Sequence, residues 1–262
     1  MMGAVWITGA SSGIGKACAL RYASMGRSLV LTSSSRTKLE AVAGECLKLG
    51  APEATVLPCD FRNPEGLEEL AAEAWRLCGG VDILFCNAGV SQRTTVLDTS
   101  EQTLRELMEI NFFAPARLAK AILPFMLDAG GGTIAVTTSI AGRFGFPLRC
   151  AYSSSKHALY GFFETLRAEY YSKGIRVTLV CPGRVCTDIS LNARDKGGAP
   201  HGVMDPGQAS GLSPEKAAKR IVRAIGRGRR EVLVGRTELL MVQIKRFFPG
   251  LCAWIGRHIN AV

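Results

Sequence analysis

A tyrosine and a lysine stand four residues apart in the stretch AYSSSKHAL, as Tyr152 and Lys156. On a helix this spacing places both side chains on one face, with the ammonium near the phenol. A tyrosine with its ordinary pKa of about 10 transfers protons poorly at neutral pH, and bringing that pKa near 7 takes about 4 kcal/mol of extra stabilisation of the phenolate. An adjacent ammonium can supply part of it. The spacing therefore indicates proton transfer by Tyr152, although a pair on a helix surface has the same pattern.

Two polar residues upstream favour an active site over a surface pair. Ser139, in TTSIAG, ends an apolar run that predicts a strand, and a hydroxyl there can meet a substrate oxygen at the carboxyl edge of a sheet. Asn111, in EINFFAP, is a poor helix former inside a helical run. One local reason for such a residue is an opening of the helix that admits a water.

A glycine-rich turn near the N-terminus indicates where a nucleotide binds. In VWITGASSGIG a strand leads into Gly9, Gly13 and Gly15, and the helical run KACALRYAS follows. Glycines let the chain turn sharply and let a pyrophosphate approach the N–H groups at the helix N-terminus. Three glycines can also serve the turn alone, but the strand before them and the helix after them favour a dinucleotide site.

A sheet is needed to bring these segments together. Seven short apolar runs alternate with helical patterns, and several are continuously apolar, as expected of strands buried on both faces. The runs are AVWIT (4–8), LVLT (29–32), ATVLP (54–58), VDILFC (81–86), GTIAVTT (132–138), IRVTLV (175–180) and EVLVG (231–235). We expect an α/β protein with a Rossmann-type, doubly wound parallel sheet of about seven strands, as one domain over residues 1–262.

The motif TGASSGIG resembles the cofactor loop of the classical short-chain dehydrogenase/reductase family, and the resemblance continues along nearly the whole chain. The catalytic tetrad of that family is matched, in order and approximate spacing, by Asn111, Ser139, Tyr152 and Lys156. The resemblance implies that Tyr152 exchanges the substrate proton and that Ser139 polarises the substrate carbonyl. It also implies that Lys156 holds the cofactor ribose and lowers the tyrosine pKa, and that Asn111 anchors a water relay.

The same resemblance implies which residues hold a nicotinamide cofactor. CDF places Asp60 at the adenine, NAG matches the family's motif after the fourth strand, and CPGRVCTD matches its segment beside the carboxamide. Taken singly, these stretches are also typical of strand-end caps and turns. The expected cofactor-binding residues are Gly9, Ser11, Ser12, Gly13, Ile14, Gly15, Ser33, Ser34, Arg36, Asp60, Phe61, Asn87, Ala88, Gly89, Tyr152, Lys156, Pro182, Gly183, Val185 and Thr187.

The stretch TSSSR at the end of the second strand bears on the choice of cofactor. An NAD site carries an Asp or Glu there, which accepts from the ribose 2′-hydroxyl and would repel a 2′-phosphate. This chain has Ser33, Ser34 and, slightly later, Arg36, all able to donate to a phosphate. We therefore expect NADP(H) to be preferred, with NAD(H) possible.

The substrate is less well defined by the sequence. Residues 190–211 are rich in Gly, Pro, Asp and Asn and predict a mobile substrate loop, although plain disorder has the same composition. Between Ser139 and Tyr152, plausible pocket residues are Arg143, Phe144, Phe146 and Leu148, which favour an apolar ketone or aldehyde. The alternative is that these aromatic residues pack in a subunit interface. The C-terminal extension, residues 236–262, loosely resembles that of the dehydrogenase/reductase member 7 group.

Composition limits the remaining classes. The net charge is +10, but no ridge of alternating basic and aromatic residues accompanies it, so a nucleic-acid partner is not expected. Nine cysteines, odd in number and without a CxxC, indicate buried thiols in a reducing compartment, and three scattered histidines predict no metal site. No uninterrupted apolar run approaches the length of a spanning helix and no signal sequence is evident, so we expect a cytoplasmic protein. We expect a homodimer or homotetramer that docks through the basic, apolar tail, with membrane-surface contact as the less favoured alternative.

These features predict an NADP(H)-dependent oxidoreductase that interconverts a carbonyl and a secondary alcohol. The alternative from another class is a protein that binds a dinucleotide as a sensor or scaffold without turnover. A pure sensor has no need of Tyr152 with Lys156, so the tetrad favours the enzyme.

Overall fold

The computed structural model describes residues 3–63 and 65–258 of the chain. Each of the seven expected runs forms a strand: β1 Ala4–Thr8, β2 Leu29–Thr32, β3 Ala54–Val56, β4 Val81–Cys86, β5 Gly132–Thr137, β6 Ile175–Pro182 and β7 Glu231–Val234. They form one sheet in the order β3-β2-β1-β4-β5-β6-β7, and every neighbouring pair is parallel. The predicted Rossmann-type sheet is confirmed. Its order reverses between β1 and β4, which is where open α/β sheets bind ligands.

Helices cover both faces of this sheet. They are α1 Gly13–Ala23, α2 Arg36–Lys48, α3 Leu67–Leu77, α4 Glu101–Met108, α5 Ala114–Asp128, α6 Cys150–Tyr170, α7 Pro206–Ala209, α8 Pro214–Gly226, α9 Leu240–Phe247 and α10 Pro249–His258. Successive residues of β1 alternate between the two cores: Trp6 packs with residues of α3, α5 and α6, whereas Val5 and Ile7 pack with residues of α1, α2 and α8. Burial on both faces explains why the strands are apolar throughout.

Between α4 and α5 the chain stays helical through a π turn, Glu109–Phe113. By length and composition, the continuous helical stretch Glu101–Asp128 is long and apolar enough to cross a membrane. The sequence alone did not indicate this, because charged residues interrupt the stretch. More than half of its most apolar window is buried inside the protein, so the stretch serves here as a core helix.

The segment 190–211 contains the short helix α7 and is joined to the loop after β4. The backbone N–H of Arg93 donates to the Arg194 carbonyl (2.8 Å), and the Arg93 guanidinium pairs with the Asp205 carboxylate. Whether the loop moves during function stays a prediction.

The C-terminal extension folds onto the sheet. Helices α9 and α10 pack against each other, and residues of α9 together with Cys252 of α10 contact Ile140 and Phe144, which follow β5. The last part of the predicted extension, 259–262, lies outside the described residues.

Candidate active site

The four residues of the expected tetrad come from three neighbouring elements. Ser139 lies two residues after the end of β5, Tyr152 and Lys156 lie in the first two turns of α6, and Asn111 lies in the π turn before α5. The four residues are buried in the structure, with relative exposures of 1–9 %. The sheet thus brings together residues that stand up to 45 positions apart in the sequence.

The π turn gives Asn111 its position. Its side-chain amide forms two hydrogen bonds with the backbone of Val90: Oδ1 accepts from the N–H and Nδ2 donates to the carbonyl, both at 2.9 Å. Nδ2 also donates to Ser155 Oγ at 3.0 Å. The sequence indicates an opening of the helix at this residue, and the wider turn confirms it. In this arrangement Asn111 holds the loop after β4 against α6.

Lys156 reaches from α6 to the end of β5. Its Nζ donates to the Thr137 carbonyl oxygen at 2.8 Å and lies 5.8 Å from the centroid of the Tyr152 ring. Burial lowers the pKa of this amine to about 7, and the nearby Cys86 opposes the shift. Gly89 leaves room for the Asn111 amide, since a Cβ there would lie 3.1 Å from Oδ1, and it would touch Lys156 Nζ at 3.4 Å.

Tyr152 is held in its protonated form by its surroundings. Burial raises the pKa of its phenol above the ordinary value, and a hydrogen bond with Ser139 and the charges of Arg149 and Arg93 only partly oppose that rise. The sequence argument expected the pKa to fall beside Lys156. The pKa is raised instead, because desolvation is the largest influence on this buried phenol.

Gln92 also positions the catalytic tyrosine, and the sequence analysis missed it. Its buried side chain accepts from the backbone N–H of Tyr152 through Oε1 (3.0 Å) and donates through Nε2 to Thr94 and Thr99. It therefore satisfies one free N–H group at the start of α6 and fixes the helix against the loop after β4. A lone glutamine between a glycine motif and a helix gives no signal of this contact in the sequence.

The backbone of the glycine loop lies closer to neighbouring backbone atoms than residues with a side chain would allow. A Cβ added to Gly15 would overlap the carbonyl oxygen of Gly9, and a Cβ on Gly9 would lie 2.8 Å from Ala88 Cα. Gly9 and Gly13 have φ angles of +64° and +53°, in the left-handed region that favours glycine. The loop can therefore lie close to the NAG segment, with the first N–H groups of α1 facing the same cleft.

That cleft has a volume of about 470 Å³ and extends from the glycine loop to Tyr152. Of the expected cofactor residues, those lining it are Gly9, Ser11, Ser12, Gly13, Ile14, Ser33, Ser34, Asp60, Phe61, Asn87, Ala88, Gly89, Tyr152, Lys156 and Thr187. Pro182, Gly183 and Val185 line the adjoining cavity instead, and Gly15 supports the loop from within α1. The sequence analysis did not include Lys38 and Arg62, which also line the cleft.

Arg36 is not brought into the cleft, contrary to our expectation. Ser35 caps α2 by accepting from the backbone N–H of Lys38, so Arg36 is the first residue of the helix. Its guanidinium lies 3.8 Å from Glu40, one turn on, and its side chain is exposed. Lys38 is the cation of this segment that reaches the cleft.

The cleft fits a dinucleotide cofactor. The glycine backbone leaves room where side chains would clash, as described above. Ser33 Oγ is buried at the cleft wall and has no hydrogen-bond partner among the residues that the structure describes. A buried hydroxyl without a partner costs free energy, so a ligand group that pairs with it gains affinity.

A second cavity, of about 220 Å³, adjoins the cleft at Tyr152. Ser139, Tyr152 and Phe146 line it, with Ile140 and Ile189 on the same apolar wall. Of the four expected pocket residues only Phe146 is among its lining. Arg143 instead pairs with Glu231 on β7, Phe144 is buried in the cluster under α9, and Leu148 takes a left-handed backbone conformation (φ 61°).

The other wall of this cavity is charged. Arg93 and Arg149 both contact the Asp205 carboxylate, and all three side chains are largely buried. Burial raises the pKa of Asp205, but hydrogen bonds and charges from the two arginines outweigh it, so its pKa is lowered overall. Burial and the charge of Arg93 lower the pKa of Arg149 to about 10. The three charges join α7 to the loops that flank Tyr152.

The family model and the related proteins that match this chain indicate the same family. The family model described as short chain dehydrogenase matches residues 3–197. The chain is 40% identical over 255 residues to dehydrogenase/reductase SDR family member 7B of Xenopus laevis, covering 94% of this chain and 78% of that protein. It is 36% identical to the SDR family protein 7-like of Drosophila melanogaster, covering 96% and 78%.

Solved structures agree with the fold. A short-chain dehydrogenase/reductase from Burkholderia phymatum in complex with NAD is similar with a TM-score of 0.83 at 26% identity, covering 99% of this chain and 96% of that one. An alcohol dehydrogenase from Thermococcus sibiricus complexed with 5-hydroxy-NADP is similar with a TM-score of 0.76 at 27% identity, covering 90% and 97%.

Proposed function

The chain belongs to the short-chain dehydrogenase/reductase family of oxidoreductases, and from that premise we propose that it interconverts a carbonyl and a secondary alcohol with NADP(H). The observation that supports this most directly is the position of Tyr152, which lines both the cofactor cleft and the adjoining cavity. Ser139 lies on the cavity side of the phenol and Lys156 on the cleft side. A cofactor and a substrate bound in the two spaces would meet at this residue.

In the reductive direction Tyr152 donates a proton to the carbonyl oxygen. Its raised pKa keeps the phenol protonated at neutral pH, which is the form a proton donor needs. Ser139 orients the same oxygen through its hydroxyl. The chemistry that a bound nicotinamide supplies is exchange of a hydride with the carbonyl carbon.

Lys156 and Asn111 act on the cofactor side. Lys156 would hold the ribose and, once charged, stabilise the phenolate that remains after Tyr152 gives up its proton. Asn111 keeps the loop after β4 in register with α6, so that the cleft retains its shape. A water relay through Asn111 is supported by the π turn, because this turn places the Asn111 amide between α6 and the loop after β4.

Preference for NADP(H) is supported by the end of β2. Ser33 offers an unpaired buried hydroxyl, and Ser34, Ser35 and Lys38 line the same part of the cleft. No carboxylate stands between Thr32 and Leu39 to accept from a ribose 2′-hydroxyl. Among the acids that line the cleft, Asp60 is the closest in sequence to this stretch, and its carboxylate accepts hydrogen bonds from the Arg62 guanidinium. These groups favour a 2′-phosphate.

The substrate that we propose is an apolar ketone or aldehyde. Its support is the apolar wall formed by Ile140, Phe146 and Ile189 beside Ser139 and Tyr152. The cytoplasm is the proposed location, since all nine cysteines are free thiols and a reducing compartment keeps them so. A homodimer or homotetramer is expected in solution, to be measured by sedimentation velocity.

The experiment that tests the function is a screen of ketones, aldehydes and secondary alcohols with NADP(H) and NAD(H), followed by nicotinamide absorbance. Tyr152→Phe should reduce turnover of any active compound by at least about 10³-fold while cofactor affinity stays within about threefold, because the phenol gives only the proton. Tyr171→Phe is the matched control, since Tyr171 is exposed and directly follows the C-terminal end of α6, about five turns away from Tyr152. Undiminished turnover by Tyr152→Phe would remove the tyrosine from its role.

A further inference from the structure

The last two helices carry an exposed apolar surface that the proposed function does not use. We define the C-terminal face by its five exposed apolar side chains, Leu240, Phe247, Phe248, Leu251 and Trp254, which are 47–64 % exposed. Among the described residues, no other stretch of this length has as many large apolar side chains in solvent. Apolar surface of this kind marks an interaction site.

Helical spacing makes this face continuous. Leu240 and Phe247 are seven residues apart on α9 and so lie on the same side of the helix, whereas Ile244 packs against the core. On α10, Leu251 and Trp254 are three residues apart and share one side of the helix, and exposed Phe248 lies at the junction between α9 and α10. The two helices pack against each other, and buried Cys252 fixes α10 to the core. The face is therefore held on a folded support.

The charges around the face have one sign. Lys245, Arg246 and Arg257 are exposed on the same two helices. The sequence contains no Asp or Glu after Glu238. Glu238 itself accepts hydrogen bonds from the backbone N–H groups of Arg184 and Arg236. The positive charge beside the face is thus not neutralised by acids of its own helices.

We propose that this C-terminal face docks the protein on the surface of a membrane that contains anionic lipids. Basic residues beside exposed Phe, Leu and Trp side chains are the composition of helices that lie in the interface between headgroups and acyl chains. Tryptophan is favoured at that depth, and lysine and arginine extend to the headgroups. A second copy of the chain fits less well, because a symmetric interface would place these cations against each other.

Docking would also bring the active site close to the lipid. The cluster under α9 includes Ile140 and Phe146, which line the substrate cavity beside Tyr152. The two helices therefore lie directly behind the apolar wall of that cavity. The proposal does not depend on the chemistry at Tyr152, since it concerns only the surface of α9 and α10.

The test is co-sedimentation of the full-length protein with vesicles of phosphatidylcholine alone and of phosphatidylcholine with phosphatidylserine. We expect binding to the vesicles with phosphatidylserine. F247S/F248S/W254S and K245E/R246E should each weaken it by at least about tenfold, through lost apolar contact and reversed charge respectively. Sedimentation to the pellet should fall as salt is raised.

Two matched controls separate docking from general attraction. L97S changes a side chain that is 97 % exposed in the loop before α4, and R21E/K120E reverses two exposed charges on α1 and α5. Neither should weaken binding by more than about twofold, since neither touches the face. An equal loss in R21E/K120E and K245E/R246E would overturn the proposal in favour of an unspecific effect of the net charge.

Two further outcomes would also overturn it. One is that the wild-type protein stays in the supernatant with both kinds of vesicle. The other is that, without lipid, F247S/F248S/W254S converts an oligomer into a smaller species by sedimentation velocity. That result would assign the face to contact between copies of this chain. Circular dichroism of each variant confirms that the helices remain folded.

Discussion

Lys156 is a buried amine whose charge depends on what lies beside it. It is 3 % exposed, its only hydrogen-bond partner among the described residues is the Thr137 carbonyl, and its pKa is lowered to about 7. A ligand that adds oxygen acceptors at this point favours the ammonium, so cofactor binding near neutral pH should be accompanied by proton uptake. The same ammonium then favours the phenolate of Tyr152.

The lowered pKa of Lys156 predicts how the stability of the cofactor-free protein changes with pH. The unfolded chain binds this proton up to about pH 10, whereas the folded protein releases it near pH 7, so stability should rise with pH above 7. Between pH 7 and 8.5 the wild-type protein should gain about 1.5 kcal/mol relative to Lys156→Met. Urea unfolding of both proteins across this range measures the difference, and parallel pH profiles would show that the amine stays charged.

Ser33 is the residue on which cofactor choice should depend. Ser33→Asp places a carboxylate at the cleft wall, where it repels a 2′-phosphate and can accept from a 2′-hydroxyl, so the ratio of NADP(H) to NAD(H) affinity should fall by at least about tenfold. Ser172→Asp makes the same charge change at an exposed position after α6 and serves as the control. Isothermal titration with each cofactor gives the ratio, and an unchanged ratio would mean that Ser33 does not contact the ribose.

Site residues that belong to a local sequence motif could be predicted from the sequence. Site residues whose position depends on a partner far away in the sequence could not. Asn111, Ser139, Tyr152 and Lys156 meet at one edge of the sheet because Ser139 follows a predicted strand and the other three lie in helical stretches that the sequence indicates. Arg143 was expected in the substrate pocket, but it pairs with Glu231, 88 residues further along the chain. Gln92 and Lys38 were missed for the same reason, since their positions follow from how α6 and α2 pack.

At the scale of single elements, α1 and the loop before it are the most constrained part of the site. The close approach of Gly15 to Gly9 lets the first turn of α1 begin directly at the NAG segment. Residues with side chains would push the helix away from β4. The cleft would then lose the N–H groups that face a pyrophosphate.

Two glycine substitutions in neighbouring helices should therefore have opposite effects. Gly15→Ala introduces a Cβ that overlaps the Gly9 carbonyl, so cofactor affinity should fall by at least about tenfold and stability by about 2 kcal/mol. Gly44→Ala, in α2, adds a Cβ with no atom within 4 Å, so it should raise stability by about 0.5 kcal/mol and leave affinity unchanged. Thermal unfolding and cofactor titration distinguish them. Equal effects of the two substitutions on stability and cofactor affinity would show that the close approach of Gly15 to Gly9 is not needed.

At the scale of the whole molecule, the C-terminal helices are part of the domain. The prediction of seven strands and one sheet follows from the apolar runs, since strands buried on both faces are recognisable by composition. The tail was not assigned helices from its sequence, because Leu, Phe and Trp alternate there with basic residues and its buried side is defined by distant residues such as Ile140, Phe144 and Cys181. Whether such short helices form depends mainly on their tertiary contacts.

Removal of the tail should therefore destabilise the protein. A chain that ends at Gly235 exposes Ile140 and Phe144, and we expect its unfolding midpoint to fall by at least about 5 °C in a single transition. Phe248→Ser removes an exposed ring and should leave the midpoint within about 1 °C. Differential scanning calorimetry compares the two, and equal midpoints for the truncated and full chains would show that the tail adds nothing to the fold.

The packing of α8 on α1 has a consequence for synthesis on the ribosome. Ile221, Val222 and Ile225 of α8 share one buried cluster with Cys18 and Tyr22 of α1, so α1 is covered by a helix made about 200 residues later. Until α8 emerges, the glycine loop belongs to a helix with an exposed apolar face. We therefore expect the nascent chain to bind a cofactor only after α8 has emerged, and chaperones that recognise apolar helices to associate with it before then.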